Sequence, residues 1–186
     1  MSGLSDDLLL FVAGSAIIAW LSRKPLRHPG SHGFYRFFVW EGILALVVMN
    51  RNSWGMDPYS VHQLVSWPLL GGSIALVVLG IVGLTGQGRP TSERAGGALY
   101  EWEKTTALVT TGIFAHIRHP MYASLLALTW GAFFQAPSWL GAAAALHASV
   151  FLQLTALADE RECVAYFGAA YAEYMGRTRR FIPGVF

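Results

Sequence analysis

The feature that most constrains this chain is an uncharged stretch of 21 residues from Leu64 to Leu84. A helix rises about 1.5 Å per residue, so this stretch is long enough to cross the roughly 30 Å hydrocarbon core of a bilayer. Only 13% of the residues are charged, whereas soluble domains carry about one quarter. These observations exclude a sizeable soluble domain and predict an integral membrane protein.

Four further apolar stretches are candidate spans. The last two are separated only by Pro137 and Ser138, which predicts a tight helical hairpin. We therefore expect an all-α, polytopic membrane bundle of about five transmembrane helices forming a single domain over residues 1–186. Residues 1–84 would hold three N-terminal spans, and residues 85–186 a core of loop, hairpin and tail. The four stretches are Leu8–Leu21, Phe34–Met49, Met121–Ala136 and Trp139–Ala158.

The placement of basic residues predicts the orientation. With the N-terminus outside, every Lys and Arg except Arg51 falls on the cytoplasmic side, as the positive-inside rule requires. Asp6 and Asp7 precede the first span and basic residues follow it, so we expect a retained anchor rather than a cleaved signal peptide. The expected location is a bacterial inner membrane or an equivalent membrane, with the C-terminus cytoplasmic.

Composition also restricts the partners. The single cysteine, Cys163, excludes an intramolecular disulfide and a metal site built from clustered cysteines. A net charge of +2 provides no general basic field for nucleic acid. The expected partners are the bilayer and a lipophilic substrate that enters from it, and the oligomeric state stays open.

Two polar segments flank the predicted hairpin. Arg118, His119 and Pro120 lie directly before its first helix, and the acidic residues Asp159 and Glu160 follow its second. Pro suits the first turn of a helix, and the free N–H groups there favour an anion. The hairpin brings the two segments together, although interfacial anchoring of the basic residues and simple solvation of the acidic ones are equally open interpretations.

Several motifs occur in order over roughly residues 103–186. They are Thr111-Gly112, Arg118 to Ala123, Asp159-Glu160, Phe167 to Tyr174 and Arg177 to Pro183. Together they strongly resemble the integral-membrane methyltransferases of the isoprenylcysteine carboxyl methyltransferase and phospholipid methyltransferase group. The first three spans match that group only in being hydrophobic.

The resemblance implies a site for S-adenosylmethionine, with S-adenosylhomocysteine as product. That family usually has a Glu-Glu pair, so the shorter Asp159 is a departure. We therefore expect Glu160 to bind the ammonium of the cofactor, with Asp159 in support, and Arg177 to act near the acceptor. Glu160 and Arg177 are thus the candidate catalytic residues, and the candidate cofactor-binding residues are Lys104, Thr111, Gly112, His119, Pro120, Tyr122, Asp159 and Glu160.

The chemistry fits these residue types. S-adenosylmethionine needs a carboxylate for its ammonium, donors for its carboxylate and an apolar wall around its methyl group. We therefore predict methyl transfer to a lipophilic acceptor, which is a lipid amine, carboxylate or thiol. Two alternatives remain open: a haem- or quinone-binding membrane protein using His119, His147 or His62, and a non-catalytic membrane scaffold.

Overall fold

The computed structural model describes residues 2–89, 91 and 104–184. Six α-helices account for most of these residues. None of the described residues lies in a β-strand, and Ile117 and Arg179 form an isolated parallel bridge. Short 3₁₀ turns at Pro25–Arg27 and Gly112–Ala115 precede α2 and α4. The helices are α1 (Ser2–Leu21), α2 (His32–Met49), α3 (Val61–Gln87), α4 (Pro120–Phe133), α5 (Trp139–Phe167) and α6 (Ala169–Arg177).

Four of these helices, α1, α2, α3 and α5, are long and apolar enough to cross a membrane. The prediction of an all-α membrane bundle is therefore confirmed. The predicted fourth span, over Met121–Ala136, corresponds to α4, which has only 14 residues and a length of about 21 Å, so it is shorter than expected. The chain leaves the helix at Phe134 to form the hairpin turn.

Helix α5 is longer than its apolar sequence suggests. It has 29 residues and continues to Phe167, which gives it a length of about 43 Å, more than a hydrocarbon core of roughly 30 Å requires. Asp159 and Glu160 therefore lie within the helix and not after it. A helix fixes the directions of consecutive side chains, so these two carboxylates must point to different neighbours.

Buried amide and hydroxyl groups hold the hairpin turn. Gln63 donates to Oε1 of Gln135 over 3.1 Å, and Gln135 donates to the Ser66 hydroxyl over 2.6 Å. Asn50, just after α2, donates to the carbonyl of Ala132 over 2.7 Å. These bonds satisfy polar groups that water cannot reach, and they fix α4 against α3 and α2.

The helices pack in two pairs, α2 with α5 and α3 with α4. Val39 and Ile43 of α2 and Leu152 and Ala156 of α5 contribute to the largest apolar cluster. Helix α1 packs along α2, where Ser15 donates to Glu41 over 2.5 Å. At one end of this bundle, the start of α4, the end of α5 and the C-terminal tail converge.

Candidate active site

The C-terminal tail is bonded directly to the segment that precedes α4. The backbone N–H of Arg118 donates to the carbonyl of Arg179 over 2.7 Å, and that of His119 donates to Arg180 over 3.1 Å. The hydroxyl of Tyr174 donates to the carbonyl of Phe114 over 2.6 Å. Burial raises the pKa of Tyr174 to about 12, so this donor keeps its proton. The tail is therefore part of the structure that positions the site.

Two glycines allow the backbone to turn beside these contacts. Gly112 and Gly168 both have a φ of +61°, a conformation that residues with a Cβ seldom adopt. Gly112 opens the 3₁₀ turn before α4, and Gly168 separates α5 from α6. The backbone conformation thereby explains why glycine occupies both positions.

Glu160 is the centre of a buried ion-pair cluster. It is only 4% exposed, and Arg118 donates to its Oε1 from Nε and Nη2 over 2.9 and 2.8 Å. Arg180 donates to Oε2 from Nη2 over 2.9 Å, and its Nε contacts both oxygens. Arg118 also donates to the carbonyls of Met175 and Thr178. This carboxylate therefore ties α5 to the tail.

Asp159 and His119 form a second, adjacent pair. Nδ1 of His119 lies 3.4 Å from Oδ2 of Asp159, and its Nε2 lies 3.5 Å from Oε1 of Glu160. The imidazole is 5% exposed, and its Nε2 is buried without a hydrogen bond. Burial alone would lower the pKa of His119, but the close, negatively charged carboxylates of Asp159 and Glu160 raise it above its ordinary value. The two carboxylates thus favour the protonated form of the ring.

An open cleft of about 740 Å³ borders this pair, and we call it the His119 cleft. Its wall is mostly apolar, with His119, Asp159, Arg118 and His32 among its polar members. The residues that line it are His32, Leu84, Thr105, Ala107–Val109, Phe114, Arg118–Tyr122, Asp159, Cys163, Phe167, Tyr171 and Tyr174.

Half of the candidate cofactor-binding residues line this cleft. His119, Pro120, Tyr122 and Asp159 do so, and the ring of Tyr122 stacks on that of His119 with centroids 5.2 Å apart. Glu160 does not line the cleft, because its oxygens are turned to the two arginines. This placement favours Asp159 over Glu160 as the carboxylate that meets a ligand, the reverse of the order expected from sequence.

The other candidates lie outside the wall of the cleft. Thr111 donates its hydroxyl to Gln87 at the end of α3, and Lys104 accepts a backbone bond from Thr91. Arg177 is 62% exposed on α6, where its nearest carboxylate is Glu173 at 3.9 Å. The neighbouring residues 101–103 lie outside the described part of the chain.

Sequence reasoning missed His32 and its pairing with Glu162. His32, 1% exposed at the start of α2, has its Nδ1 2.7 Å from Glu162 Oε2, and its backbone N–H donates to the same carboxylate over 3.0 Å. Arg180 was recognised only as part of a tail motif. His32 and Glu162 are 130 residues apart, so no local pattern connects them. The one available signal was a histidine at the start of an apolar helix.

A second cavity of about 860 Å³, which we call the Arg36 cavity, lies on the other side of Met121 and Tyr122. These two residues line both spaces. The Arg36 cavity is otherwise formed by α1, α2, α3 and α4. Its lining residues are Ile18, Leu21, Ser22, Arg36, Trp40, Val77, Met121, Tyr122, Ser124 and Leu125.

The histidines of the haem or quinone alternative are not brought together. Nδ1 of His62 is 3.0 Å from the carbonyl of Phe134 at the hairpin turn, and the ring of His147 packs on that of Phe151. Across residues 2–89, 91 and 104–184, no group of three or more His, Cys, Asp or Glu side chains is arranged to hold a metal ion.

Comparison with known proteins identifies the family of the chain. No curated protein and no solved structure gives a significant match. The profile of the phospholipid methyltransferase family matches residues 73–168, just over half of the chain. The matched region contains all of α4 and α5 and both His119 and Asp159, and the resemblance seen in the sequence is confirmed. The chain therefore belongs to the phospholipid methyltransferase family, and it is a membrane methyltransferase by family and by its spanning helices.

Proposed function

We propose that the protein transfers a methyl group from S-adenosylmethionine to a lipophilic acceptor, and that the cofactor binds in the His119 cleft. The observation that carries this proposal is the placement of Asp159 and His119 side by side in an otherwise mostly apolar wall. A carboxylate beside a buried N–H donor is complementary to the two charged ends of an amino acid, which S-adenosylmethionine contains.

The residues of the cleft fit that ligand. Asp159 would hold the ammonium of the ligand, and the imidazole of His119, which also lines the cleft, would donate to its carboxylate. Arg118 also lines the cleft and adds positive charge there. Leu108, Val109 and Phe167 are apolar surfaces for the nucleoside and for the region around the methyl group.

When bound, S-adenosylmethionine supplies an electrophilic methyl carbon, and its C–S electron pair returns to sulfur as a lone pair of the acceptor forms the new bond. An amine, carboxylate or thiolate provides such a lone pair, and an amine then loses a proton. The protein contributes alignment and exclusion of water, effects worth up to about 7–11 kcal/mol in favourable systems. No covalent nucleophile is required of the chain.

Within this proposal Glu160 is a positioning residue. It holds Arg118 beside the cleft and fixes the tail through Arg180. The role of Arg177 near the acceptor, inferred from resemblance, remains a prediction, and its exposed position on α6 makes it a separate question from cofactor binding.

The test is calorimetric titration of the purified protein in a neutral detergent with S-adenosylmethionine and S-adenosylhomocysteine. We expect both to bind, and Asp159→Asn to weaken binding roughly 10–150-fold through the loss of a charge-assisted bond. Glu173→Gln, an exposed carboxylate on α6, is the matched control and should bind normally. No heat and no thermal shift at millimolar ligand would disprove the proposal.

The acceptor is identified by a second experiment. The protein is incubated with labelled S-adenosylmethionine and a membrane lipid extract, and the labelled products are separated by chromatography. Label in one lipid class, absent with Asp159→Asn and present with Glu173→Gln, would define the acceptor. Cofactor binding without any labelled lipid would contradict the lipophilic acceptor.

A further inference from the structure

Two tyrosines of α6 are buried to a similar degree but differ in their hydrogen bonding. Tyr171 and Tyr174 are 4% and 2% exposed, and they lie one turn apart. The hydroxyl of Tyr174 donates to the carbonyl of Phe114. Within residues 2–89, 91 and 104–184, the hydroxyl of Tyr171 has no hydrogen-bonding partner. Because a buried tyrosine hydroxyl usually has a partner, we expect a partner from outside the chain.

The hydroxyl of Tyr171 opens onto the His119 cleft. The side chain is part of the cleft wall, and its oxygen is not among the polar atoms that the protein encloses fully without a hydrogen bond. Burial raises the pKa of this phenol, and the neighbouring Cys163 and Asp159 act in the same direction. The group is therefore a neutral hydroxyl, which can both donate and accept a hydrogen bond.

The side of α5 that borders the cleft gives the site a direction. Asp159, Cys163 and Phe167 all line the cleft, and their spacing of i, i+4 and i+8 places them on one broad face of the helix. Eight residues correspond to about 12 Å along the helix axis. Asp159 therefore lies at one end of this face, and Phe167, the last residue of α5, lies at the other.

Tyr171 extends the far end of this face. Gly168 turns the chain between α5 and α6. The ring of Tyr171 lies nearly parallel to that of Phe167, with centroids 6.4 Å apart and 18° between the planes. The two rings form an aromatic surface, to which Tyr171 adds a polar hydroxyl, whereas Asp159 provides a charge at the opposite end. This arrangement is complementary to a ligand with a charged group at one end and a nucleoside at the other.

We propose that Tyr171 is a cofactor-binding residue whose hydroxyl bonds to the nucleoside of S-adenosylmethionine, while Asp159 holds the amino-acid end. This inference rests on the proposed function and deepens it, because it defines the direction in which the cofactor lies along α5. It also assigns α6 to the cofactor site, although α6 follows the region matched by the family profile, which ends at residue 168.

The experiment compares a complete ligand with one that lacks the amino-acid end. S-Adenosylhomocysteine and 5′-methylthioadenosine are each used to displace labelled S-adenosylmethionine from the purified protein in a neutral detergent. We expect Tyr171→Phe to weaken both ligands by the same factor, about 2- to 12-fold, as the loss of one neutral hydrogen bond predicts. Asp159→Asn should weaken S-adenosylhomocysteine alone, because 5′-methylthioadenosine has no ammonium group.

The matched control is Tyr59→Phe, at a position 88% exposed between α2 and α3, and it should bind both ligands normally. Two results for Tyr171→Phe would overturn the proposal: unchanged affinity for both ligands, or a loss of affinity for S-adenosylhomocysteine alone. Failure of 5′-methylthioadenosine to compete at millimolar concentration with the unmodified protein would also overturn it.

The melting temperature without ligand separates ligand binding from a structural role. Tyr171→Phe keeps the ring and removes a hydroxyl that bonds to nothing in the described part of the chain, so the melting temperature should not fall. Tyr174→Phe removes a hydroxyl that has a partner and should lower it. An equal fall in the two variants would show that the hydroxyl of Tyr171 stabilises the protein itself, and it would overturn the proposal.

A third ligand identifies the part of the nucleoside that is bound. In 5′-methylthioinosine a carbonyl replaces the amino group of the base. If Tyr171→Phe reduces the preference for the adenine ligand, the hydroxyl bonds to the base, and if it weakens both ligands equally, the hydroxyl bonds to the ribose. Absence of S-adenosylhomocysteine binding to the unmodified protein would reject the proposed function, whereas binding without the expected response of Tyr171→Phe would reject only the role of this residue.

Discussion

The His119 cleft and the Arg36 cavity share Met121 and Tyr122 in their walls, but they differ in their location in the fold and in the charges around them. The cleft is built where loops, a helix end and the tail meet, and opposite charges neutralise one another around it. The cavity lies between helices, and Arg36 is the one charged side chain among the described residues that line it. Charges can be concentrated around the cleft because they compensate one another.

Within the cleft, a second contrast separates two neighbouring carboxylates. Asp159 lines the cleft with a side chain that is 21% exposed, and Glu160 is buried between two arginines at 5%. Consecutive helical residues point in directions about 100° apart, so one faces a ligand space and the other the tail. The first two predictions concern the tail that Glu160 holds, the third concerns the cleft, and the fourth concerns Arg177 on α6, outside the cleft.

The largest expected effect is on stability, from Glu160→Gln. Removing one charge from a buried ion pair leaves the remaining cations uncompensated, at a cost of roughly 3–5 kcal/mol. We expect a clear fall in the melting temperature in detergent, and Asp159→Asn should change it much less. Glu173→Gln is the control. Equal melting temperatures for Glu160→Gln and Glu173→Gln would show that the cluster does not hold the tail.

Next in size is the loss of the tail contact made by Tyr174. Tyr174→Phe removes the hydroxyl that donates to Phe114 and leaves a buried carbonyl without this bond, at a cost of about 1–3 kcal/mol. Thermal unfolding in detergent should detect this, and Tyr166→Phe, at a position 48% exposed on α5, should be close to neutral. Faster proteolysis after Phe167 in Tyr174→Phe would localise the change to the tail.

A smaller effect is expected from titration of His119. Because its pKa is raised in the folded protein, the imidazolium is present below about pH 6.5 and is lost as pH rises through the higher folded value. Affinity for S-adenosylmethionine should fall roughly tenfold over that rise, because a charged donor to the carboxylate is lost. The affinity is measured at each pH for the unmodified protein and for His119→Gln. The ratio of the two affinities removes the contribution from titration of the ligand itself. Parallel pH profiles for the two proteins would contradict a role for His119.

The smallest effect expected from the structure is that of Arg177→Ala. An exposed side chain with one distant partner should alter turnover by no more than about twofold. The acceptor role inferred from resemblance instead requires that turnover falls more than tenfold while cofactor affinity is unchanged. Arg179→Ala is the control for the loss of a surface charge. A tenfold loss confined to Arg177→Ala would show that α6 approaches the acceptor during turnover.

The sequence predicted the helices better than their ends. The apolar stretches located every spanning helix because the bilayer imposes a minimum length on a span. The observed ends of α4 and α5 differ from the predicted ones. Helix α4 ends earlier because Gln135 takes part in a buried hydrogen-bonded layer. Helix α5 ends later because a helix continues through charged residues when tertiary partners compensate their charges. Asp159 and Glu160 were found as a pair, but their separate roles depend on helical phase and on the position of Arg180.

The sequence by itself determined that this protein lies in a membrane and which family it belongs to. Long uncharged stretches and motifs in a fixed order can both be read along the chain without knowledge of its fold. What only the tertiary structure decided is which side chains meet. His32 reaches Glu162, Arg118 and Arg180 enclose Glu160, and Arg36 shares a cavity with Tyr122. These contacts join residues tens of positions apart, and they form because buried charges and polar groups must find partners wherever helix packing places them.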